Sequence, residues 1–341
     1  MTSRARTFLK YLFSALLTVL FLYLAFRQTD LEKLLVSMKN ANYWWFLLFF
    51  ALLMISHILR SWRWRYLLEP IKPNIGLGSL FSGVMVGYLV NNMLPRAGEI
   101  VRPYAIGKLE SIPKSAALGT IVVERIMDTV SFLILVVLMP VVYDGPLRDT
   151  FPWLERTGVI VSSITLAIVF SFVTLMMRRD LTDRLLRSLA KVLPQKVSLR
   201  VDKIAHSFLD GFLFLKRPDN FVIIIVLSIG VWAMYILMMY TAFYAFDLHL
   251  GLRAAIVLQA LVSIGIAMPT PGATGSYHVF ASQTLTRLFF VPNEIALGFA
   301  TLTHAVGFIG VTVVGLFFFL KDHIRVSEAV GKVAEFRNEK P

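Results

Sequence analysis

The sequence predicts an all-α polytopic membrane protein, with about six full spans and two Pro/Gly-broken re-entrant hairpins, or eight spans if the broken blocks cross fully. Three observations predict it. Hydrophobic residues make up 57% of the 341 residues and charged residues only 16%, and a mean hydropathy of +0.70 excludes an ordinary soluble domain. The apolar residues gather into blocks of about twenty, the length that crosses a bilayer core as a helix. Such blocks are too long and too uniformly apolar for barrel strands, which alternate over about ten residues. Two blocks, 76–110 and 252–290, are interrupted by Pro and Gly.

Taken in chain order, full spans are expected near 8–26, 44–66, 117–143, 157–177, 220–246 and 295–320. The first follows Arg4, Arg6 and Lys10 and runs into Tyr23-Leu24-Ala25-Phe26-Arg27. No small-x-small cleavage site follows it, so an uncleaved span is expected rather than a signal peptide. Between the fourth and fifth spans, Leu181, Leu185, Leu189 and Val192 fall on one helical face, with Arg184, Arg187 and Lys191 off it. Beyond Pro194, Val197, Val201, Ile204, Phe208, Phe212 and Leu215 continue the pattern. The linker 178–217 therefore reads as basic amphipathic helix lying along the membrane surface. Docking to another subunit, a second copy or a partner enzyme, is its competing use. Residues 1–320 form one integral membrane domain, and 321–341 a short charged cytosolic tail without enough residues for a core. The chain has no cysteine, hence no disulfide frame and no thiolate metal site.

The formal net charge is +13, and its distribution separates membrane from nucleic acid. With the N-terminus in the cytoplasm, 24 of the 34 Lys and Arg fall on that side, in the N-terminal tail, 60–72, 108–114, 178–217 and the C-terminal tail. That asymmetry follows the positive-inside rule, with both termini in the cytoplasm of a bacterial-type inner membrane. Tyr43, Trp44 and Trp45 read as anchors at the outer boundary, and Trp62, Trp64 and Tyr66 at the inner one. Attraction to an anionic lipid surface explains the basic surplus, and no nucleic-acid partner is expected.

The segments "LPRAGEIVRPY" (94–104) and "MPTPGATGSYH" (268–278) share Pro-x-x-Gly, at Pro95/Gly98 and Pro269/Gly272, an offset of 174 residues. Each half, about 8–143 and 157–320, then reads span, span, broken segment, span. If each broken segment enters and leaves by one face, three full spans separate them and the halves are inverted. Inverted repeats with discontinuous helices build the midplane sites of alternating-access transporters. A helix break is tolerated in lipid only where protein or water satisfies the opened backbone. Simple kinks in packed helices are the alternative.

Arg96, Glu99 and Arg102 lie in the first broken block. An ionisable group at the bilayer centre costs about 2.5–3.5 kcal/mol on insertion scales, so these residues must pair, face water or hold a ligand. Their three-residue spacing allows a +,−,+ ladder on one face. One carboxylate cannot neutralise two guanidiniums, and the surplus suits the two-pronged grip of guanidinium on phosphate or carboxylate. Asn91 and Asn92 are placed to bond opened backbone at the hairpin tip. Glu124, Arg125 and Asp128 form a second cluster in the next span, either bonding the hairpin's arginines in place or exchanging protons and partners during a transport cycle.

"PTPGATGS" (269–276) is Gly-rich, and the amides around Gly272 and Gly275 could cradle an anion. The loop fits neither G-x-G-x-x-G nor G-x-x-x-x-G-K. His278 follows it, and His304 lies in the last span. Two histidines without nearby acids do not suggest a metal site. No metal or other cofactor is expected.

"LPRAGEIVRPY", "ERIMD" (124–128) and "PTPGATGS" together resemble the lysylphosphatidylglycerol synthase transmembrane-region, or flippase-like domain, family, over roughly 8–320. The family includes the membrane half of the bacterial multiple peptide resistance factor and stand-alone relatives. The resemblance assigns Pro95, Arg96, Gly98, Glu99 and Arg102 to the first motif, and Glu124, Arg125 and Asp128 to the second. The family's second hairpin commonly reads Pro-Gly-Gly-x-Gly-x-x-Glu, whereas here it is Pro271-Gly272-Ala273-Thr274-Gly275-Ser276-Tyr277-His278. His278 replaces the acid, which argues against a permanent negative charge there. The resemblance does not extend to the soluble aminoacyl-transferase domain of fused relatives, so it implies no synthase activity. It implies movement of an anionic or zwitterionic phospholipid or lipid-linked intermediate between leaflets. On that reading Asn92, Pro95, Arg96, Gly98, Glu99, Arg102, Gly272, Gly275 and His278 bind substrate, while Glu124, Arg125, Asp128 and His304 pair or couple. The competing functions are an enzyme or accessory subunit acting on polyprenyl-phosphate-linked saccharides, and a small-solute or ion transporter.

Overall fold

The computed structural model describes residues 3–143, 145, 147–152, separate positions between 159 and 174, 211, 213–216 and 218–324. The span expected at 157–177 and the linker 178–217 lie almost wholly outside the described residues, as does the tail from 325. Among the described residues the regular elements are helices: α1 (Ser3–Phe26), α2 (Leu31–Lys39), α3 (Trp44–Leu68), α4 (Leu77–Met93), α5 (Gly98–Glu110), α6 (Lys114–Val142), the single turn α7 (Leu147–Thr150), α8 (Phe221–Ala245), α9 (Leu252–Ala267), α10 (Ser276–Phe289) and α11 (Asn293–Lys321). Helices α3, α8 and α11 are long and apolar enough to cross a membrane, and a fourth candidate is the pair Tyr11–Phe26 and Leu31–Lys39, bent by 87°. This is a helical membrane protein.

Helix α2 was not legible as a separate element. Asp30 caps it, accepting from the amides of Glu32 at 3.0 Å and Lys33 at 3.2 Å. The Lys33 amide holds the Asp30 carboxyl below its ordinary range. The cap satisfies donors that the first turn leaves open, and Leu34 turns the apolar face inward onto α11.

Both broken blocks are helical hairpins. The first, α4–α5, breaks at Leu94–Ala97, where Leu94 is extended and Arg96 takes a left-handed backbone with φ 61°. The second, α9–α10, breaks through a 3-10 turn, Pro271–Ala273, with φ 55° at Gly272, 59° at Ala273 and 83° at Gly275. Element lengths correspond between halves: 25 residues for α3 and α8, 17 and 16 for α4 and α9, 13 and 14 for α5 and α10, 29 for both α6 and α11. The Pro-x-x-Gly match does not mark equivalent glycines, however. Gly98 is the first residue of α5, whereas Gly272 sits within the turn and Gly275 caps α10.

Two aliphatic-aromatic clusters hold the helices together. The larger joins Phe46, Phe49 and Leu53 of α3 to Met85 of α4, Phe243 of α8, Leu258 of α9 and Phe299 of α11. The smaller packs Trp64, Leu67 and Leu68 against Leu80, Ile106, Ile121 and Ile224. The outward face stays apolar: Val222, Val226 and Ile229 of α8 and Val313, Phe317 and Leu320 of α11 are all exposed. A water-soluble chain seldom leaves so many large apolar side chains uncovered along its helices, whereas a lipid-facing helix requires it.

Candidate functional site

Helix α3 carries a polar stripe into the interior. His57, Arg60, Ser61 and Trp64 fall at i, i+3, i+4 and i+7, one helical face, and all four are buried, as is Arg63. Opposite them on α6 stand Glu124 and Asp128, four residues apart. Arg60 Nη1 donates to Glu124 Oε1 at 2.6 Å and to Asp128 Oδ2 at 2.7 Å, while its Nη2 donates to the Tyr235 hydroxyl at 3.2 Å. Arg63 donates to Asp128 Oδ1 at 2.8 Å and to Ser228 at 3.0 Å. From the first hairpin, Arg102 reaches both Glu124 oxygens, at 2.9 and 3.0 Å. Its guanidinium also lies 4.4 Å over the Trp64 ring, whose Nε1 donates to Thr120 at 2.9 Å.

Glycine makes this geometry reachable. A Cβ at Gly98 would lie 1.9 Å from the Gly87 carbonyl oxygen, and one at Gly87 would lie 2.3 Å from Arg102 Cγ. The hairpin helices thus meet backbone to backbone, and the Arg102 stem passes through the space beside Gly87. The Gly98 amide, opened by the break, donates to Asn91 Oδ1 at 2.7 Å, as expected of Asn91.

The +,−,+ ladder does not form. Glu99 instead lies 3.2 Å from Arg125 Nε on α6, because α5 and α6 pack side by side and turn both residues to a shared, one-third-exposed edge. Arg102 is satisfied by Glu124, which leaves Arg96 as the hairpin arginine without a carboxylate partner in the described ion pairs. It is exposed, and its Nη2 donates to the Ala267 carbonyl at 3.2 Å. Around this centre Arg60, Arg63, Arg102 and Arg125 share Glu99, Glu124 and Asp128: four positive groups to three negative, before Arg96 is added.

Arg60 and Arg63 were missed. The basic segment 60–72 reads as a cytoplasmic flank, and Trp64 as an interfacial anchor, but Arg60, Ser61, Arg63 and Trp64 in its first two turns are core. The signal was present, since polar residues spaced at helical intervals inside an apolar helix mark a buried polar face. Trp62, at 43% exposed, stays on the outside.

The two hairpin tips meet. Asn92 donates to the Phe308 carbonyl at 3.2 Å and to Thr312 at 2.9 Å on α11, and a Cβ at Gly272 would lie 3.2 Å from Asn92 Oδ1. Asn92 therefore bonds the last helix rather than its own broken backbone. His304 Nε2 is 2.9 Å from the Gly272 carbonyl, and the His278 and His304 rings stand 4.8 Å apart. Helix α1 closes the other side, with Ser14 donating to the Pro269 carbonyl at 2.6 Å and Phe21 beside Gly275. The amides of Ala273 and Thr274 bond the carbonyls of Thr270 and Pro271, so those two amides do not form the anion cradle expected of the loop. Among the described residues no cluster of three or more His, Asp or Glu could hold a metal ion.

Fold and site together define a helical membrane protein whose two broken hairpins converge beside a buried, net-positive ion network. The chain belongs to the family described as the lysylphosphatidylglycerol synthase TM region, whose model matches residues 9–315. It is similar to a UPF0104 membrane protein of Methanocaldococcus jannaschii, 25% identical over 312 residues, covering 88% of this chain and 91% of that one. A UPF0104 membrane protein of Pyrococcus horikoshii is 26% identical over 319 residues, covering 86% and 91%. One from Methanothermobacter thermautotrophicus is 26% identical over 255 residues, covering 70% and 74%. No solved structure matches significantly.

Proposed function

We propose that the protein moves an anionic or zwitterionic phospholipid, or a lipid-linked intermediate, between the leaflets of the cytoplasmic membrane. The observation that carries this reading is Arg96: an exposed guanidinium at the meeting point of two broken hairpins, held by a single carbonyl, next to a network with more arginines than carboxylates. Guanidinium pairs with phosphate two-pronged, and the apolar outer faces of α8 and α11 suit acyl tails that stay in lipid while the head group enters.

In this reading the two halves are an inverted repeat, both termini face the cytoplasm, and the hairpin tips line a midplane site. Glu124 is the pairing switch. Its Oε1 sits between Arg60 and Arg102, at 2.6 and 2.9 Å, so Arg102 can leave toward an incoming head group while Glu124 keeps Arg60. Asp128 does the same for Arg60 and Arg63.

The test is reconstitution into vesicles with labelled anionic phospholipid, comparing wild type with Arg96→Gln. The variant should fold normally and lose most transbilayer movement. Unaltered movement in the folded variant overturns the reading. Product formation from lipid-linked sugar in detergent, where transport has no meaning, would instead identify an enzyme.

A further inference from the structure

We propose that His278 and His304 together take up one proton as the anionic head group arrives, so that head-group binding is proton-linked; this rests on the translocation reading above.

The two rings form a compact pair with centroids 4.8 Å apart. His304 Nε2 lies 2.9 Å from the Gly272 carbonyl, a pure acceptor, so Nε2 carries the hydrogen and Nδ1 is left to receive a proton. His278 is 5% exposed, and its Nδ1 is buried without a partner. An unfilled buried ring nitrogen beside a second imidazole calls for an explanation, and a proton that arrives together with an anion would fill it.

The groups facing the pair are few. Helix α10 presents Tyr277, 6.2 Å from the His278 ring and 5.4 Å from the His304 ring, with its hydroxyl donating to Thr303 of α11 at 2.9 Å. Helix α1 presents Phe26, 6.3 Å from His278, and α11 presents Phe308, stacked 5.7 Å from His304. The first hairpin contributes Asn92 beside Gly272 and Arg96 on the Ala267 carbonyl that ends α9. None of these is a carboxylate.

Two charged rings at this separation repel, so the pair holds one proton rather than two. That single charge has no counter-ion among the groups named, and an uncompensated charge in an apolar enclosure is unfavourable. An anion entering between the hairpin tips supplies the missing charge. By linkage, whatever the anion does for the proton, the proton does for the anion. The pair thereby ties the state of the second hairpin, which His304 grips at Gly272, to the arrival of substrate.

The experiment uses the full chain in lipid nanodiscs with fluorescent phosphatidylglycerol as the probe. Affinity is measured from about pH 5.5 to about pH 8.5, across the ordinary histidine range. Wild type should bind more tightly as pH falls, by up to about tenfold per unit where one proton is linked. His278→Gln and His304→Gln should each flatten that slope, while His249→Gln, an exposed residue outside the site, keeps it. Independently of any variant, adding lipid to wild type in weak buffer should draw about one proton per chain from solution. A pH-independent affinity, an unchanged slope in both histidine variants, or no proton uptake on binding overturns the proposal while leaving translocation standing. No binding at any pH overturns both.

Discussion

In the first hairpin the break is followed within two turns by Glu99 and Arg102, and each finds an opposite charge on α6. In the second there is no charged residue from Met268 to Thr286, and the turn is held by Ser14, Thr270, Ser276 and His304 through neutral hydrogen bonds. Both use left-handed backbone at the tip, on Arg96 in one and on Gly272 and Ala273 in the other. The same backbone device is thus anchored by ion pairs on one side and by neutral groups on the other. Charge locks the first hairpin in place unless its carboxylates change partners, whereas the second is held by bonds of about 0.5–1.5 kcal/mol each. The difference assigns rigidity to one hairpin and adjustability to the other.

The sharpest way to break that contrast is Glu124→Gln. It removes the carboxylate charge between Arg60 and Arg102, leaving buried Arg102 without a carboxylate and Arg60 with Asp128 alone, and removing one partner of a buried pair costs about 3–5 kcal/mol. Thermal unfolding in detergent should show a large fall in stability. The parallel change at the second hairpin's anchor on α11, His304→Gln, should cost far less, because one neutral bond to the Gly272 carbonyl and ring contacts are at stake, and no buried charge is left behind. Equal losses would mean that the ion network does not anchor the first hairpin.

Gly98→Ala is next. The added methyl would lie 1.9 Å from the Gly87 carbonyl oxygen and 2.7 Å from its carbon, and backbone cannot swing aside as a side-chain tip can. The helices of the first hairpin must separate, at a cost on the order of 1–3 kcal/mol, as for overpacked cores. Gly78→Ala, on the partner helix α4 of the same hairpin, meets nothing within 4 Å, so it should lose no stability, with the same unfolding measurement as the check.

How much of this was readable beforehand divides along physical lines. Helix positions followed from apolar block length: the expected 44–66, 220–246 and 295–320 are Trp44–Leu68, Phe221–Ala245 and Asn293–Lys321. The two broken blocks are hairpins because Pro and Gly carry their backbone meaning locally. What sequence could not supply was pairing. Glu99 sits between two arginines in the chain yet bonds Arg125, since packing of α5 on α6 decides its partner. Arg60 and Arg63 share a segment with Arg65 and Lys72, and only the depth of α3 in the bundle separates core charges from flanking ones. The Pro-x-x-Gly match did not carry over to equivalent backbone positions either, because the second turn is longer than the first.

Ala273→Gly sharpens the comparison at smaller scale. Ala273 has φ 59°, and a left-handed non-glycine costs roughly 1–2 kcal/mol. Glycine removes that strain but widens the unfolded ensemble, which takes back roughly 0.4–1 kcal/mol. The net expectation is a stabilisation of about 1 kcal/mol or less by thermal unfolding. A loss of stability would show that the Ala273 methyl packs usefully against the partly buried cluster around it.

Apart from the Gly78 control, the smallest effect on stability is expected at Arg96, and its smallness is the point. Arg96 is exposed, its one bond goes to a carbonyl, and its left-handed backbone already carries the strain that a substitution there would keep. Arg96→Gln should change unfolding by no more than about 0.5 kcal/mol, as surface replacements do. Arg102→Gln, six residues on, breaks two short bonds to Glu124 and should approach the loss expected of Glu124→Gln. Two arginines in one motif would then separate by measurement, one holding the hairpin and one left over for a ligand. If Arg96→Gln unfolds the protein as readily as Arg102→Gln does, Arg96 is a structural clasp on α9 and the unpaired charge on which the lipid reading depends is absent.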